Sequence, residues 1–515
     1  MPEKHINPWV ITIAVMISTF MEVLDTTVVN VSLPHIAGSL SATVDEATWV
    51  LTSYLVANAI ILPITGWLAN YFGRKKLLIL SVTGFTAASF LCGLAPTLPV
   101  LIVCRILQGA AGGALQPLSQ AVLLEAFPPE ERGKAMGFWG LGIVVAPILG
   151  PVLGGWLTDS YSWRWVFYIN IPIGILSIFM TKMFIFDPPY IKRTSTKIDF
   201  WGIGLLAVGI GALQVILDKG QEEDWFASHV IQILTVITVA GIAAFIWNEL
   251  KTSEPVVQLG IFKFRTYSSG VFLMTMVGFV LYGSLVLLPL LMQTLLGYPS
   301  LQAGFALAPR GMGSFIAMPV VGAILSKFDP RKLLGLGLVV GAATLFQLSR
   351  LTLDAGYWDF FWPQFIQGIS LGLLFVPLTT ISMGSIPKEA MGNATSLFNL
   401  MRNIGGSIGI AIATTILARH SQANTNVLVS HVDAYNPQAT AMIDSMRSGF
   451  MARGSDFATA TRQAYEAIFG MVQRQAAMLA FNGVFVTFGI IFLLMLPLLL
   501  LMKRPAKVEG GMPVH

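Results

Sequence analysis

Two carboxylates stand inside the first long apolar run of the chain, in the stretch Phe20-Met21-Glu22-Val23-Leu24-Asp25-Thr26-Thr27. Glu22 and Asp25 are three residues apart, a spacing that sets both on one face of a helix. They are the only Asp or Glu deep within an apolar segment, since the others fall in loops, tails or at segment ends. A charge at membrane depth costs at least ~2.5 kcal/mol on the mildest scale, so a helix carrying two must face protein or water. The chemistry open to such a pair is uptake and release of protons, or coordination of an ion or substrate. The structural alternative is a pair of protonated carboxyls satisfied by their neighbours.

Cations accompany them. The fourth apolar segment carries Arg105, Gln108, Gly109, Gly112 and Gln116, at i, i+3, i+4, i+7 and i+11, one stripe of a helix. An intramembrane Arg stays ionised and needs a carboxylate, a carbonyl or water. Asp25 lies nine residues from Pro34 at the outer end of its segment and Arg105 about seven from the outer end of its own, so both sit roughly 10–14 Å below the outer surface. Arg105 is therefore expected beside Asp25, tuning its proton affinity; a clamp on backbone carbonyls is the alternative. A second arginine, Arg402, lies near the midplane among Asn399, Asn403, Gly406 and Gly409, with no acidic partner evident.

Enzymatic chemistry is not indicated. There is no Gly-x-x-x-x-Gly-Lys-Ser/Thr phosphate loop and no His-Glu-x-x-His motif, and the six histidines do not cluster. The two cysteines, Cys92 and Cys104, both lie in apolar segments, which disfavours a disulfide framework or a zinc site. We expect no cofactor, no metal and no nucleic acid.

The frame that must hold these groups is a membrane frame. The 515 residues are 55% hydrophobic and only 11% charged, where a soluble domain carries about 25% charged residues. Fourteen segments are long enough to cross the bilayer: 9–33, 48–70, 77–95, 98–120, 134–157, 164–186, 198–218, 228–249, 267–292, 301–326, 332–351, 359–383, 391–418 and 477–502. The first is too long for a cleavable signal peptide. With the N-terminus in the cytoplasm, the inner loops hold Arg74, Lys75, Lys76, Arg132, Lys134, Lys192, Arg193, Lys197, Lys251, Lys263, Arg265, Lys327, Arg331, Lys332 and Lys388, and the tail adds Lys503, Arg504 and Lys507. Short outer loops hold almost none, with Arg164 and Lys219 the exceptions, and 218–229 is acidic. Both termini are thus expected inside.

The chain also repeats. Residues 63–78 align without a gap on 319–334, and Gln108-Gly109 with Pro117-Leu118 is echoed by Gln367-Gly368 with Pro377-Leu378. This predicts an all-α polytopic fold of two six-helix halves, 1–190 and 266–515, with two inserted helices in 191–265 and a substrate site between the halves. In the fifth segment, Ala146, Gly150 and Gly154 recur every four residues, so a neighbour can approach closely, while Pro147 and Pro151 permit bending. Residues 420–476 read as a long polar outer loop, either a docking surface or a solvated connection, with 458–475 a candidate for helix.

Together these motifs resemble the fourteen-helix drug:proton antiporters of the major facilitator superfamily, and within them the EmrB-type multidrug efflux group of Gram-negative bacteria. The carrying residues are Leu24–Pro34, the loop from Gly66 through Gly73 and Arg74 to Lys76, Arg105-x-x-Gln108-Gly109, the run from Pro147 to Gly155, the stretch 163–174 and Gly392–Ile412. The resemblance implies export of hydrophobic compounds across the inner membrane against inward-moving protons, with Asp25 the principal proton carrier, Glu22 a second, and Arg105 coupled to Asp25. It implies a cavity lined by the first, fourth, ninth and twelfth helices, for which Asn30, Gln108, Gln116, Gln293, Gln364 and Gln367 are candidates, although such groups can equally knit helices together. It also implies a periplasmic adaptor and an outer-membrane channel, with 420–476 as the adaptor contact. A proton-coupled importer of a small nutrient is the alternative on the same fold. One departure stands out: the loop has Asn70 where the family has Asp, so the charge latch of that loop is expected to be weaker.

Overall fold

The computed structural model describes residues 7–187, 199–252, 254–433 and 435–502. Fourteen helices are long and apolar enough to span a membrane. They are α1 (Pro8–Ser39), α2 (Asp45–Phe72), α3 (Arg74–Leu94), α4 (Leu98–Ala126), α5 (Arg132–Ser160), α6 (Trp165–Phe184), α7 (Phe200–Lys219), α8 (His229–Lys251), α9 (Arg265–Thr294), α10 (Gln302–Ile324), α11 (Pro330–Leu348), α12 (Tyr357–Gly384), α13 (Lys388–Val429) and α14 (Phe457–Leu501). The described residues contain no strand. Backbone polar groups at membrane depth must be satisfied within the segment, and a helix does this.

Helix ends follow local chemistry. Thr43 and Glu46 form a capping box at the start of α2, with Thr43 N donating to Glu46 Oε2 at 2.8 Å and Glu46 N to Thr43 Oγ1 at 3.2 Å. Asp199 caps α7 by accepting from Gly202 N at 2.9 Å. Gly73, at φ +84°, turns the chain between α2 and α3, a conformation a side chain rarely adopts. Helix α4 breaks at Gly113-Ala114 into Leu98–Gly112 and Leu115–Ala126.

Each crossing reverses direction, so the described inner-loop cations fall on one face, here termed the basic face. Lys192, Arg193, Lys197, Lys503, Arg504 and Lys507, and the boundary at 190/191, lie outside the described residues. Two seams join the halves: α5 packs along α10, and α2 along α13. The inserted helices α7 and α8 pack on each other, and α7 packs on α2 and reaches α13. Gln214 of α7 exchanges hydrogen bonds with Ser407 of α13 at 3.0 and 3.3 Å, and Trp225 Nε1 donates to Thr415 Oγ1 at 2.9 Å.

The polar stretch 420–476 differs from a loop. Helix α13 runs on to Val429, a separate helix spans Pro437–Ala452, and α14 begins at Phe457. Caps explain the folding: Asn436 accepts from Gln438 N and Ala439 N, and Asp456 from Ala458 N and Thr459 N. Asn424 Nδ2 donates to Ala476 O at 3.2 Å, so two of these extensions brace one another beyond the apolar zone.

Candidate functional site

Asp25 is 1% exposed and Arg105 is fully buried. Arg105 Nη1 lies 2.5 Å from Asp25 Oδ2 and 2.9 Å from Gln108 Oε1. The other Asp25 oxygen accepts from Gln108 Nε2 at 3.0 Å and from Asn170 Nδ2 at 2.7 Å. Asn170 opens the main turn of α6, and its amide also donates to Ser89 Oγ of α3 at 2.9 Å. Arg105 Nε donates to Val50 O at 3.1 Å, and the guanidinium lies 4.1 Å from the Tyr54 ring centroid. The two readings of Arg105 are thus both present, a carboxylate partner on one edge and a backbone carbonyl on another. A buried pair survives only when its remaining donors and acceptors are largely matched; here α2, α4 and α6 supply partners to both members, and Arg105 Nη2 alone is left without one.

Glu22, one turn toward the basic face, has different company. It accepts from Asn58 Nδ2 at 3.0 Å, from Tyr54 Oη at 3.5 Å and from Gln116 Nε2. Gln116 Oε1 in turn accepts from Arg402 Nη2 of α13. The break in α4 matters here: it separates Gln108, which serves Asp25, from Gln116, which serves Glu22. Glu22 lines a cavity of about 660 Å³ whose wall includes Asn30, Tyr54, Asn58, Gln116, Gln214, Tyr282, Gln293 and Asn403. The cavity runs from Glu22 to Pro34 and Thr294, the ends of α1 and α9 opposite the basic face.

Of the six candidate wall residues, Asn30, Gln116 and Gln293 are on this wall. Gln108 is buried against Asp25 instead. Gln364 and Gln367 bond each other at 3.3 Å inside the C-terminal half and are 2% exposed. Correspondingly α12 contributes nothing to the wall, whereas α2, α5, α7, α10 and α13 do. The stripe on α12 was read by analogy with α4, yet the cavity sits nearer the seams than the centre of that half. Sequence reasoning passed over Tyr54, Asn58 and Asn170; the signal available was an i, i+4 polar pair in α2 and a single Asn within Ile169-Asn170-Ile171.

The basic face is closed. An added Cβ on Gly66 of α2 would meet Asn393 Cα at 2.7 Å and Gly392 C at 3.0 Å; one on Gly322 of α10 would meet Gly133 O at 2.6 Å and Lys134 Cα at 3.0 Å. Gly66 and Gly322 are equivalent in the 63–78/319–334 repeat, so one contact is used twice. Along α5, Gly150 and Gly154 admit α1, where an added Cβ would meet Thr27 Cβ at 2.5 Å and Val28 O at 2.7 Å. Pro147 and Pro151 face the cavity. Arg74, beside Gly73, is 2% exposed and paired with Glu125 at the end of α4. A charge pair therefore exists at this loop despite Asn70, with its acid on another helix. No group of three or more metal-ligating side chains occurs among the described residues.

The Major Facilitator Superfamily profile matches residues 15–410. The multidrug export protein EmrB of Escherichia coli K12 is 39% identical over 98% of this chain and 96% of its own. The fatty acid resistance protein FarB of Neisseria gonorrhoeae is 38% identical over 98% and 97%. Among solved structures, the human organic anion transporter MFSD10 superposes with a TM-score of 0.60 over 95% of this chain and 100% of that one; at 11% identity this likeness speaks for the fold. A multi-pass membrane protein with the two-seam architecture and these relatives belongs to the Major Facilitator Superfamily, in the group of the EmrB export proteins.

Proposed function

We propose that the chain exports hydrophobic compounds across the bacterial inner membrane in exchange for inward-moving protons, with both termini in the cytoplasm. The observation that carries this reading is the division of labour between the α1 carboxylates. Asp25 is buried in an ion pair with Arg105, while Glu22 faces the cavity and is tied through Gln116 to Arg402 across the seam. Protons entering from the opposite face reach Glu22 first. Protonation removes the negative charge that holds Arg402 through Gln116 and loosens the basic face, where the proton then leaves and substrate enters. Asp25, off the cavity wall, serves as the enclosed proton site, released when Arg105 shifts with α4. The bodies that move are 1–190 and 266–515. A membrane potential adds about 2.3 kcal/mol per charge per 100 mV. Hydrophobic cargo is supported by the names of the relatives and by wall residues such as Val31, Leu285 and Leu290.

The helical extensions of 420–476 fit a contact with a periplasmic adaptor that leads to an outer-membrane channel. Between them lies a groove of about 960 Å³ with Gln422, Asn426 and Arg474 on its walls, polar enough to meet a hydrated partner. The test is dye transport in proteoliposomes under an imposed pH gradient, comparing wild type with Asp25→Asn. Movement opposite to the proton gradient, lost in the variant, is the expected result. Transport in the same direction as protons would establish an importer instead, and undiminished transport by Asp25→Asn would remove Asp25 from the coupling.

A further inference from the structure

The inserted pair α7–α8 has no counterpart in either half, and the coupling scheme uses neither helix. Yet α7 stands at the cavity. Toward the basic face α2 and α13 meet directly: Gly66 lies against Asn393, and Leu62 shares an apolar cluster with Leu397 and Leu400. Toward the opposite face the cavity has both helices as walls, with Tyr54 and Asn58 on α2 and Asn403 and Ser407 on α13. Gln214 of α7 completes that wall. It is 7% exposed, and both ends of its amide are aimed at the one hydroxyl of Ser407.

The two attachments of α7 differ in kind. On α2 the backbone comes close: a Cβ added to Gly211 would meet Ile60 Cδ1 at 3.5 Å and Val56 Cγ1 at 3.6 Å. At the far end of α7, Asp218 accepts from Thr52 Oγ1, and the buried Lys219 donates to Thr48 Oγ1 and pairs with Glu222 at 2.6 Å. The second inserted helix follows, since a Cβ on Gly241 of α8 would meet Gly209 Cα of α7 at 3.0 Å. Near the basic face the connection to α13 is fixed, because Gln258 exchanges hydrogen bonds with Asn393 at 3.1 and 3.4 Å. Toward the opposite face α13 holds the pair through two neutral side-chain contacts, Gln214–Ser407 and Trp225–Thr415. If the halves rock about the cavity, closing it on that side brings α2 and α13 together there. Helix α7 lies on both and keeps its place on one. Charge-assisted hydrogen bonds are roughly twice as strong as neutral ones, so α13 is the helix it leaves.

We propose that α7 travels with the N-terminal half and slides on α13, and that Gln214 is a positioning residue whose bond to Ser407 holds the cavity open to the face opposite the basic one. The inference rests on the two-body motion of the export reading, and on neither its proton coupling nor its direction. It gives the inserted pair a task. Helix α7 screens the cavity from lipid at the α2/α13 seam while the halves move, and its release from Ser407 is a step of the switch.

Two measurements test it on the full chain purified in detergent, with no dye and no pH gradient, so the export reading can fail while this inference stands. Leu325 packs against Gly133 at the basic end of the other seam and is 9% exposed. With Leu325→Cys as reporter, Gln214→Leu and Ser407→Ala should each raise labelling by a bulky hydrophilic maleimide about two- to tenfold, the worth of one neutral hydrogen bond. The double variant should rise no further, and the exchange of Gln214→Ser with Ser407→Gln should return toward wild type. The second measurement is cross-linking by a short bifunctional thiol reagent. Val56→Cys with Gly211→Cys, joining α2 to α7, should link equally with and without Gly66→Val, which crowds the basic end of the seam. Gln214→Cys with Ser407→Cys, joining α7 to α13, should link severalfold less once Gly66→Val is added. A Gln214→Leu variant that melts lower yet labels like wild type would make the pair a structural contact and overturn the proposal. Loss of the α2–α7 link with the α7–α13 link kept overturns it by seating α7 on the other half. A reporter that never labels, even with Gly66→Val, overturns it together with the two-body motion beneath it.

Discussion

Arg402 on α13 and Glu22 on α1 do not touch, yet one side chain joins them: Gln116 donates its amide to Glu22 and accepts from Arg402. A carboxylate on the cavity wall is thereby linked to a cation across the seam between the halves. Asn399 strengthens the same seam by donating to Gln120 at 2.6 Å, one turn further along both helices.

If this bridge reports the protonation of Glu22, Gln116→Leu should have the consequences of Glu22→Gln. Both should increase labelling of a cysteine placed at Asn393, on the closed basic face, by a membrane-impermeant maleimide. The double variant should label little more than either single one, a coupling of about 0.5–3 kcal/mol. Additive labelling would mean that the two residues act separately.

Asp25 and Arg105 should behave as a pair whose members depend on each other. Asp25→Asn strands a fully buried guanidinium, and breaking one side of a buried pair costs about 3–5 kcal/mol. Arg105→Gln should cost a similar amount. Asp25→Asn combined with Arg105→Gln should regain most of that stability while leaving gradient-driven transport absent. Thermal unfolding in detergent and dye transport in vesicles separate the two effects, and a double variant no more stable than the single ones would show that Arg105 is held mainly by Val50 O and the Tyr54 ring.

The pairing of Asp25 with Arg105 was legible because depth along a helix is read by counting residues, and both lie at a similar count from a segment end. The fourteen spans were legible because the bilayer imposes length and apolarity. The partner of Arg402 was not: Gln116 is one of many intramembrane amides, and which amide meets which cation is set by how the halves dock. The cavity wall was read partly wrongly for the same reason. Gln364 and Gln367 carry the pattern of Arg105 and Gln108, but the repeat conserves backbone contacts and not the charge they hold. Within 420–476 the stretch 458–475 was legible as a helix, whereas the run of α13 to Val429 and the helix Pro437–Ala452 were masked by polarity, since helices beyond the bilayer carry no apolar stripe long enough to betray them. The signals at the helix starts were the caps Asn436 and Asp456.

Gly66 and Gly322 should be interchangeable in effect, because the repeat places each against the base of a helix in the other half. A side chain at either position meets backbone, not a flexible tip, so the seam itself must part. Gly66→Val and Gly322→Val should each destabilise the closed basic face by about 1–3 kcal/mol. Both should raise cysteine labelling there and slow export, since the state open to the opposite face becomes rarer. Gly155, whose added Cβ would meet nothing within 4 Å, is the control, and its substitution by Ala should leave labelling unchanged.

The pair Arg74–Glu125 bears on the departure at Asn70. With no carboxylate at position 70, the buried guanidinium at the start of α3 is matched by the acid at the end of α4. Lys75 adds a second fastening, its backbone N–H donating to Asp187 at 2.8 Å and its ammonium to Lys182 O at 2.7 Å. Glu125→Gln should therefore lower stability by about 3–5 kcal/mol, as expected when a buried cation loses its partner, whereas Asn70→Ala should stay within about 1 kcal/mol, the worth of one neutral hydrogen bond. Introducing Asn70→Asp in the Glu125→Gln background tests whether the acid can sit on either helix: recovery of the melting temperature would show that the loop needs one negative charge near Arg74 and is indifferent to which helix supplies it, and no recovery would fix the role to Glu125.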